Sequence, residues 1–298
     1  LAEREAGAPL ERAVLGRPVY FVDDDPVRDA KAQKALENAA RAVGFRELSF
    51  QYEPIAAALD YEQTVEHEQL VLVADIGGGT SDFSLVRVGP EPRKRFDRKD
   101  DILANHGVHV AGTDFDRDVE LAGILPLCGY RGKGPQRPGE APREVPSRIY
   151  FDLATWHLIN TAYSQQRVAE LRRMRDFYGD LRQHTRLMRV LEDRLGHALI
   201  GQAEAAKIAV AEGGSTRIEL DRLEDGLAVE LNETQAVQAL DTDLERVMNA
   251  ADETLQAAGV QAEAVDVVYF TGGSTGFKPL TARIAARLPA ARPIPADR

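Results

Sequence analysis

The chain has a single cysteine, Cys128, so no disulfide can form within it. It has no apolar run approaching the ~20 residues needed to span a bilayer, and no internal repeat of solenoid length. It also lacks an excess of basic charge. The 48 acidic and 37 basic side chains leave a net charge of −11, which argues against a general affinity for nucleic acid or an anionic membrane. Its first residues, Leu1-Ala2-Glu3-Arg4-Glu5, are charged and include no methionine, so no secretory signal is expected. The chain reads as a fragment of a longer protein in a reducing, cytoplasmic setting. Cys128 follows the apolar run Ile124-Leu125-Pro126-Leu127 and reads as a small buried hydrophobe, not a nucleophile.

What is present fits a soluble globular protein with room for two lobes. Of 298 residues, 44% are hydrophobic and 29% charged. Basic residues cluster at Arg93-Lys94-Arg95 and between Arg167 and Arg194, and the latter segment reads as a solvated helix face.

The most informative stretch runs from Val71 to Val88. An apolar β-type run ends at Asp75, passes through Gly77-Gly78-Gly79-Thr80, and resumes as a second β-type run through Asp82. Glycines there let the backbone approach a ligand closely, and successive amides in such a turn form an anion-binding concavity. Asp75 stands where a hydrated metal ion bridging phosphates would sit, while Thr80 and Asp82 fall where a water or metal-bound waters need orienting. A Walker A loop is excluded because no lysine follows the glycines. A dinucleotide-binding turn is excluded because Asp82 to Val88 alternates like a strand and does not begin a helix. An ordinary hairpin turn rarely needs three glycines and has no use for acids on both sides.

Around this motif the pattern is mixed α/β. Val14 to Val22 reads as a strand, Asp23 to Pro26 as a helix start, and Arg28 to Val43 as a helix stopped by Gly44. Leu48 to Tyr52 reads as a strand, Glu53-Pro54 opens a helix through Tyr61, and Glu62 to Gln69 reads as a loop. Ile102 to His109 continues the β pattern, and Asp114 to Leu121 is helical. Gly129 to Pro146 is a glycine- and proline-rich loop. Asp152 to Ala211 reads as two long helices meeting near Gly179-Asp180. Trp156, Met174, Phe177 and Met188 are assigned to their buried stripe. Thr216–Leu220 and Leu227–Leu231 pair around Asp225-Gly226. Asn232 and Gln235 cap a helix reaching Gly259. Val265 to Phe270 is a strand leading through Gly272-Gly273-Ser274 into a helix over Lys278 to Leu288. The turn at Gly272 is as often an ordinary β-to-α connection as a ligand site. Glu204 and Lys207, three apart, share a helix face and read equally well as a surface ion pair. His106 and His109 have no neighbouring cysteine or third histidine, so a metal pair is disfavoured.

Resemblance changes the balance. Asp75-Ile76-Gly77-Gly78-Gly79-Thr80-Ser81-Asp82 resembles the second phosphate motif of the actin-like ATPases, in their heat-shock 70-kDa chaperone branch. Tyr52 to Leu59 resembles that branch's first connecting helix. Gly107 to Asp116 resembles its glycine-plus-acid segment, Glu204 to Ile208 the helix that contacts adenosine, and Thr271 to Pro279 the adenosine motif. The arginine-rich insertion and Phe151 to His157 are most similar to the bacterial YegD-type chaperone homologues.

The resemblance implies a two-lobed actin-like (ribonuclease H-like) α/β fold, incomplete at both ends. Residues 1–66 would be a remnant of the first lobe with its connecting helix. Residues 67–115 and 233–298 would be the core of the second lobe, and 116–232 its outer helical subdomain with a hairpin. The implied ligands are ATP or ADP with Mg2+. Asp75, and Asp82 with it, would bind the metal through water. Thr80, Asp82 and Glu53 would serve catalysis, and Gly77, Gly78, Gly79 and Gly112 would offer amides to phosphates. Gly272, Gly273 and Ser274, with Glu204 and Lys207, would frame adenosine. The implied partners are unfolded client proteins and a nucleotide-exchange partner, with no nucleic acid and no membrane.

Departures from the family pattern accompany these features. The first phosphate turn and catalytic lysine normally precede the region that begins here, and neither the last helix after the adenosine motif nor a β-sandwich substrate domain is expected within these residues. The fragment alone is therefore expected to be inactive. Gly276 stands where the family places an arginine against adenine, with Lys278 nearby as a substitute. Ala211 replaces a common hydroxyl, and the family's domain-coupling arginine falls near Gln33, although Pro18 is kept. Alternative readings are a non-hydrolysing nucleotide-binding signalling module, or a small-molecule kinase or filament-forming relative on the same fold.

Overall fold

A strand buried on both faces organises the molecule. β3 (Gln69–Ile76) sends Leu72, Ala74 and Ile76 to one side and Val71 and Val73 to the other, and all five are essentially inaccessible. The computed structural model describes residues 4, 7–22, 25–95, 97–136, 138–139 and 141–295. Asp23 and Asp24 of the expected helix start lie outside these residues, as does part of the Gly129 to Pro146 loop.

β3 pairs antiparallel with β4 (Ser81–Val88), and β4 pairs antiparallel with β5 (Ile102–Val108). On its other edge β3 runs parallel to β8 (Val267–Thr271), which runs parallel to β9 (Arg292–Pro295). The spatial order is β5-β4-β3-β8-β9. Before this sheet, β1 (Arg12–Arg17) and β2 (Glu47–Tyr52) form a separate parallel pair joined through helix α1 (Pro26–Ala42). Helix α2 (Glu53–Gln63) follows β2 directly.

The sheet's two faces have different covers. Ile55, Ala58 and Tyr61 of α2 pack with Val71, Val73, Val86, Val88 and Val267. The opposite face supports the larger core. It joins helix α3 (Gly112–Val119) and, after the short α4 (Arg148–Ala154), α5 (Gln165–Arg173) and α6 (Leu181–Glu192), helix α7 (Gly196–Ala209). The hairpin of β6 (Ser215–Glu219) and β7 (Ala228–Asn232), then the long α8 (Glu233–Ala258), complete it. The Asn232/Gln235 capping box is formed reciprocally, and Gly259 ends α8 with φ of 65°. Helix α9 (Lys278–Arg287) lies against α8.

Several expectations fail for identifiable reasons. β1 stops at Arg17 and does not reach Val22, because Pro18 has no N–H to donate. Glu62 and Gln63 belong to α2 and not to a loop, and Glu62 is buried. The Asp152 to Ala211 block is not two long helices. It is broken at Ala154–Gln165, at Met174–Asp180, and at Asp193–Leu195, where Arg194 adopts a left-handed φ of 52°. These breaks turn Trp156 (56% exposed) and Phe177 (43%) out of the assigned stripe, while Met188 is buried and Met174 half-buried. α3 continues past Val119 as a π turn, Glu120–Ile124. β9, with prolines at 293 and 295, was not expected, and it forms as an edge strand where missing donors do least harm. Cys128 is fully buried as expected, and burial pushes its thiol up to about 12.

Candidate nucleotide-phosphate site

The two-residue period of the strands assembles the acids. Asp75 shares a face with Val71 and Val73, and Asp82, its cross-strand partner, shares one with Val86 and Val88. That face is the one α2 covers, and Glu53 stands at the first position of α2. A Cβ at Gly16 would lie 3.5 Å from the Glu53 side chain, an ordinary contact that sets Glu53 beside the end of β1. Three carboxylates from two separate parts of the chain therefore converge. Burial raises the Glu53 carboxyl above its ordinary range, and the charges of Asp75 and Asp82 raise it further. Burial also raises Asp75, with Asp82 adding to it. Among the described residues none of the three acids has an ion-pair partner.

Two glycines leave room for this cluster. Gly107 lies opposite Asp82 on β5, and a Cβ there would collide with the Asp82 carboxylate. Gly272 follows β8 with φ of 88°, and a Cβ would strike the Ile76 carbonyl and lie 2.7 Å from Asp75 Oδ1.

The turn between β3 and β4 closes through Gly77 N–H donating to Thr80 O at 3.0 Å. The N–H of Gly112 donates to Gly77 O (3.2 Å), and Thr113 donates to Gly78 O through its N–H (2.7 Å) and its hydroxyl (2.8 Å). Ser274 Oγ also donates to Gly77 O, at 2.7 Å. The carbonyls of the turn are thus tied to the start of α3 and to the Gly272 turn. The N–H groups of Gly78 and Gly79 donate to no protein atom among the described residues and face solvent. Gly112, whose amide was expected to meet phosphate, spends that amide on the turn. Thr80 is half-buried at the turn's exit.

Glu204 and Lys207 diverge although they share a helix face. Glu204 is exposed. Lys207 is buried, with Nζ 2.7 Å from Asp116 Oδ1 and 3.4 Å from Gly112 O, so the Glu204–Lys207 surface pair does not form. Gly273 and Ser274 lie in a short 3-10 turn before α9. Lys278 sits beside the end of α7, donating its N–H to Ala211 O (3.2 Å) with Nζ 3.3 Å from Glu212. Gln33 accepts a hydrogen bond from Arg17, which also pairs with Asp29 at 3.1 Å. His106 Nε2 lies 2.8 Å from Glu253, and among the described residues no three His, Cys, Asp or Glu side chains are grouped to hold a metal directly.

Residues 1–120 match the family model described as Hsp70 protein. The similarity to Hsp70 proteins lies in this first segment of the chain. That segment contains Glu53, Asp75, Gly77 to Thr80, Asp82 and Gly112, whereas Glu204, Lys207 and Gly272 to Ser274 lie beyond it. A relative, "Chaperone protein dnaK" of Cyanophora paradoxa, is 32% identical over 119 residues, which is 40% of this chain and 17% of the relative. The match thus spans under a fifth of that protein's length. The Hsp70 match over residues 1–120 implies an actin-like ATPase fold, and the mixed five-stranded sheet with helices on both faces agrees with it.

Sequence reasoning missed Glu62, Arg98 and Asp101, which are buried at the far end of α2. Arg98 clamps Glu62 through both terminal nitrogens (3.0 and 2.9 Å) and reaches Asp101 through Nε at 2.6 Å. The only signal was an acid breaking the polar side of a helix end, which looks like any loop start.

Proposed function

We propose that this chain supplies the metal-side half of a nucleotide site in a chaperone-related ATPase, with Mg-ATP held between two lobes and slowly hydrolysed by the full-length protein. The observation that carries the reading is the convergence of Glu53, Asp75 and Asp82, without a cation, beside the free amides of Gly78 and Gly79. Like charges held this close are costly unless a cation neutralises them, and exposed turn amides suit phosphate oxygens.

In this reading Asp75 and Asp82 would hold Mg2+ through water, and the ion would supply charge neutralisation for the phosphates. Thr80 and Glu53 position the attacking water, and Asp82 assists. Catalysis comes from electrostatic positioning. Gly272 to Ser274, Lys207 and Glu204 border the nucleoside side. The amide of Gly112 acts indirectly, by fixing the glycine turn. Residues 67–115 and 233–298 would move as one core and 116–232 as an outer part, with 1–66 belonging to the opposite lobe. Unfolded proteins and a nucleotide-exchange partner are the proposed partners, in the cytoplasm.

Calorimetric titration of Mg-ATP into the full-length protein tests this. Binding that is lost in Asp75→Asn, and turnover that falls at least tenfold in Thr80→Ala, is the expected result. Binding without turnover, unaffected by Thr80→Ala, would select a non-hydrolysing module. Absence of adenine-nucleotide binding would remove both.

A further inference from the structure

Beyond the phosphate turn, helix α3 and its π turn carry two acids, Asp116 and Glu120, one helical turn apart. Glu120 is 0% exposed and neither of its carboxylate oxygens has a hydrogen-bond partner among the described residues. It opens the π turn Glu120–Ile124, a geometry that recurs at functional positions. Asp116 is also buried and pairs with Lys207 of α7, whose Nζ lies 2.7 Å from Oδ1. The same Lys207 ammonium touches Gly112 O, and Gly112 is bonded to Gly77. One buried cation thus stands between the glycine turn and a pair of buried acids.

We propose that Lys207 is shared between Asp116 and the bound nucleotide, so that nucleotide binding draws a proton onto the Asp116–Glu120 pair. The proposal rests on the nucleotide reading above. A polyphosphate or ribose within reach gives the ammonium a competing partner. As Lys207 turns away, Asp116 stays buried beside an acid. The groups facing the pair are few. Glu204, on α7, is negative. Tyr163, whose hydroxyl meets the N–H of Gly196 at the start of α7, and Cys128, after the π turn, are neutral and held protonated by burial. Arg117 is turned to Asp114, Asp118 and Asp243. Burial already raises Asp116 above the usual carboxylate range despite Lys207, and burial with the neighbouring Asp116 raises Glu120 well above it. Loss of the cation raises Asp116 further, and a proton enters from solvent. Uptake on binding means that affinity strengthens as pH falls.

The test is calorimetry of Mg-ADP binding to the protein in two buffers of different ionisation enthalpy. The wild type should take up as much as about one proton more per nucleotide than Asp116→Asn, with affinity rising by up to about tenfold per pH unit of acidification. Asp116→Asn should bind more tightly and without the extra proton, because the competing partner is weakened. Glu120→Gln, isosteric with the neutral Glu120 carboxyl, should retain the extra uptake, and its loss there would contradict Asp116 as the acceptor. Equal proton counts in wild type and Asp116→Asn, with binding intact, would overturn this proposal alone. No Mg-ADP binding in any form would overturn it together with the nucleotide reading.

Discussion

Helix α2 has an acid at each end, and the two ends are electrostatic opposites. At the C-terminal end Glu62 and Asp101 are wholly buried, and the Arg98 guanidinium answers both carboxylates, with Gly89 N–H donating to Glu62 as well. At the N-terminal end Glu53 meets Asp75 and Asp82, and among the described residues no guanidinium or ammonium answers them. With Arg95 also 2.9 Å from Asp101, the first cluster is charge-complete and ties α2 to the segment before β5. The second leaves its charge uncancelled at the mouth of a glycine turn. The difference separates an ion network that serves folding from a cluster of like charges proposed above as a cation site.

Breaking the complete cluster should have the largest effect. Among the described residues, Arg98→Met leaves buried Glu62 with only the Gly89 N–H and buried Asp101 with only Arg95, and should cost about 3–5 kcal/mol in chemical denaturation. A loss below about 1 kcal/mol would mean that Glu62 and Asp101 find other partners. Next comes Glu120, a buried acid with neither a partner nor a ligand-facing position. Glu120→Leu should stabilise the fold by about 1–3 kcal/mol at neutral pH. Its folded-state pKa is raised, so wild-type stability is greatest below the unfolded carboxylate value and falls as pH rises. The gain in Glu120→Leu should therefore shrink in acid, and a gain independent of pH would argue against a buried neutral carboxyl.

The smallest effect belongs to the incomplete cluster, which is open to solvent. Asp75→Asn should stabilise by under about 1 kcal/mol after screening, since Asp75 is half-buried. Asp75 and Glu53 both sit above their ordinary range, so their contribution is fully present below their unfolded values and is lost as pH rises through the folded ones. The Asp75→Asn advantage should thus appear only above about pH 4. Destabilisation by the same substitution would place Asp75 among structural acids and remove the contrast between the two ends of α2.

The placing of Asp75 and Asp82 on facing strands was readable because strand periodicity and consecutive glycines are local signals, whereas Glu53 entered the candidate site only through the resemblance of its helix. Asp75, Asp82 and Glu53 each sit at an element boundary that the sequence marks. Glu62 was not readable, because its partner Arg98 lies 36 residues away and a polar residue at a helix end looks solvated. The direction of Lys207 was hidden for a similar reason. Its spacing from Glu204 places both on one face but does not say that Asp116, from another helix, will take the ammonium. The assigned stripe containing Trp156 and Phe177 failed because helical spacing was read across breaks, one of which depends on a left-handed Arg194.

The most direct measurement is a carbon-13 NMR titration of the Glu53 and Asp75 side-chain carboxyls, with and without saturating Mg-ATP. If the cluster is a cation and phosphate site, both should titrate above their ordinary range in the free protein and fall when Mg-ATP binds. Carboxyl titrations that stay unchanged while Mg-ATP is bound would contradict the account.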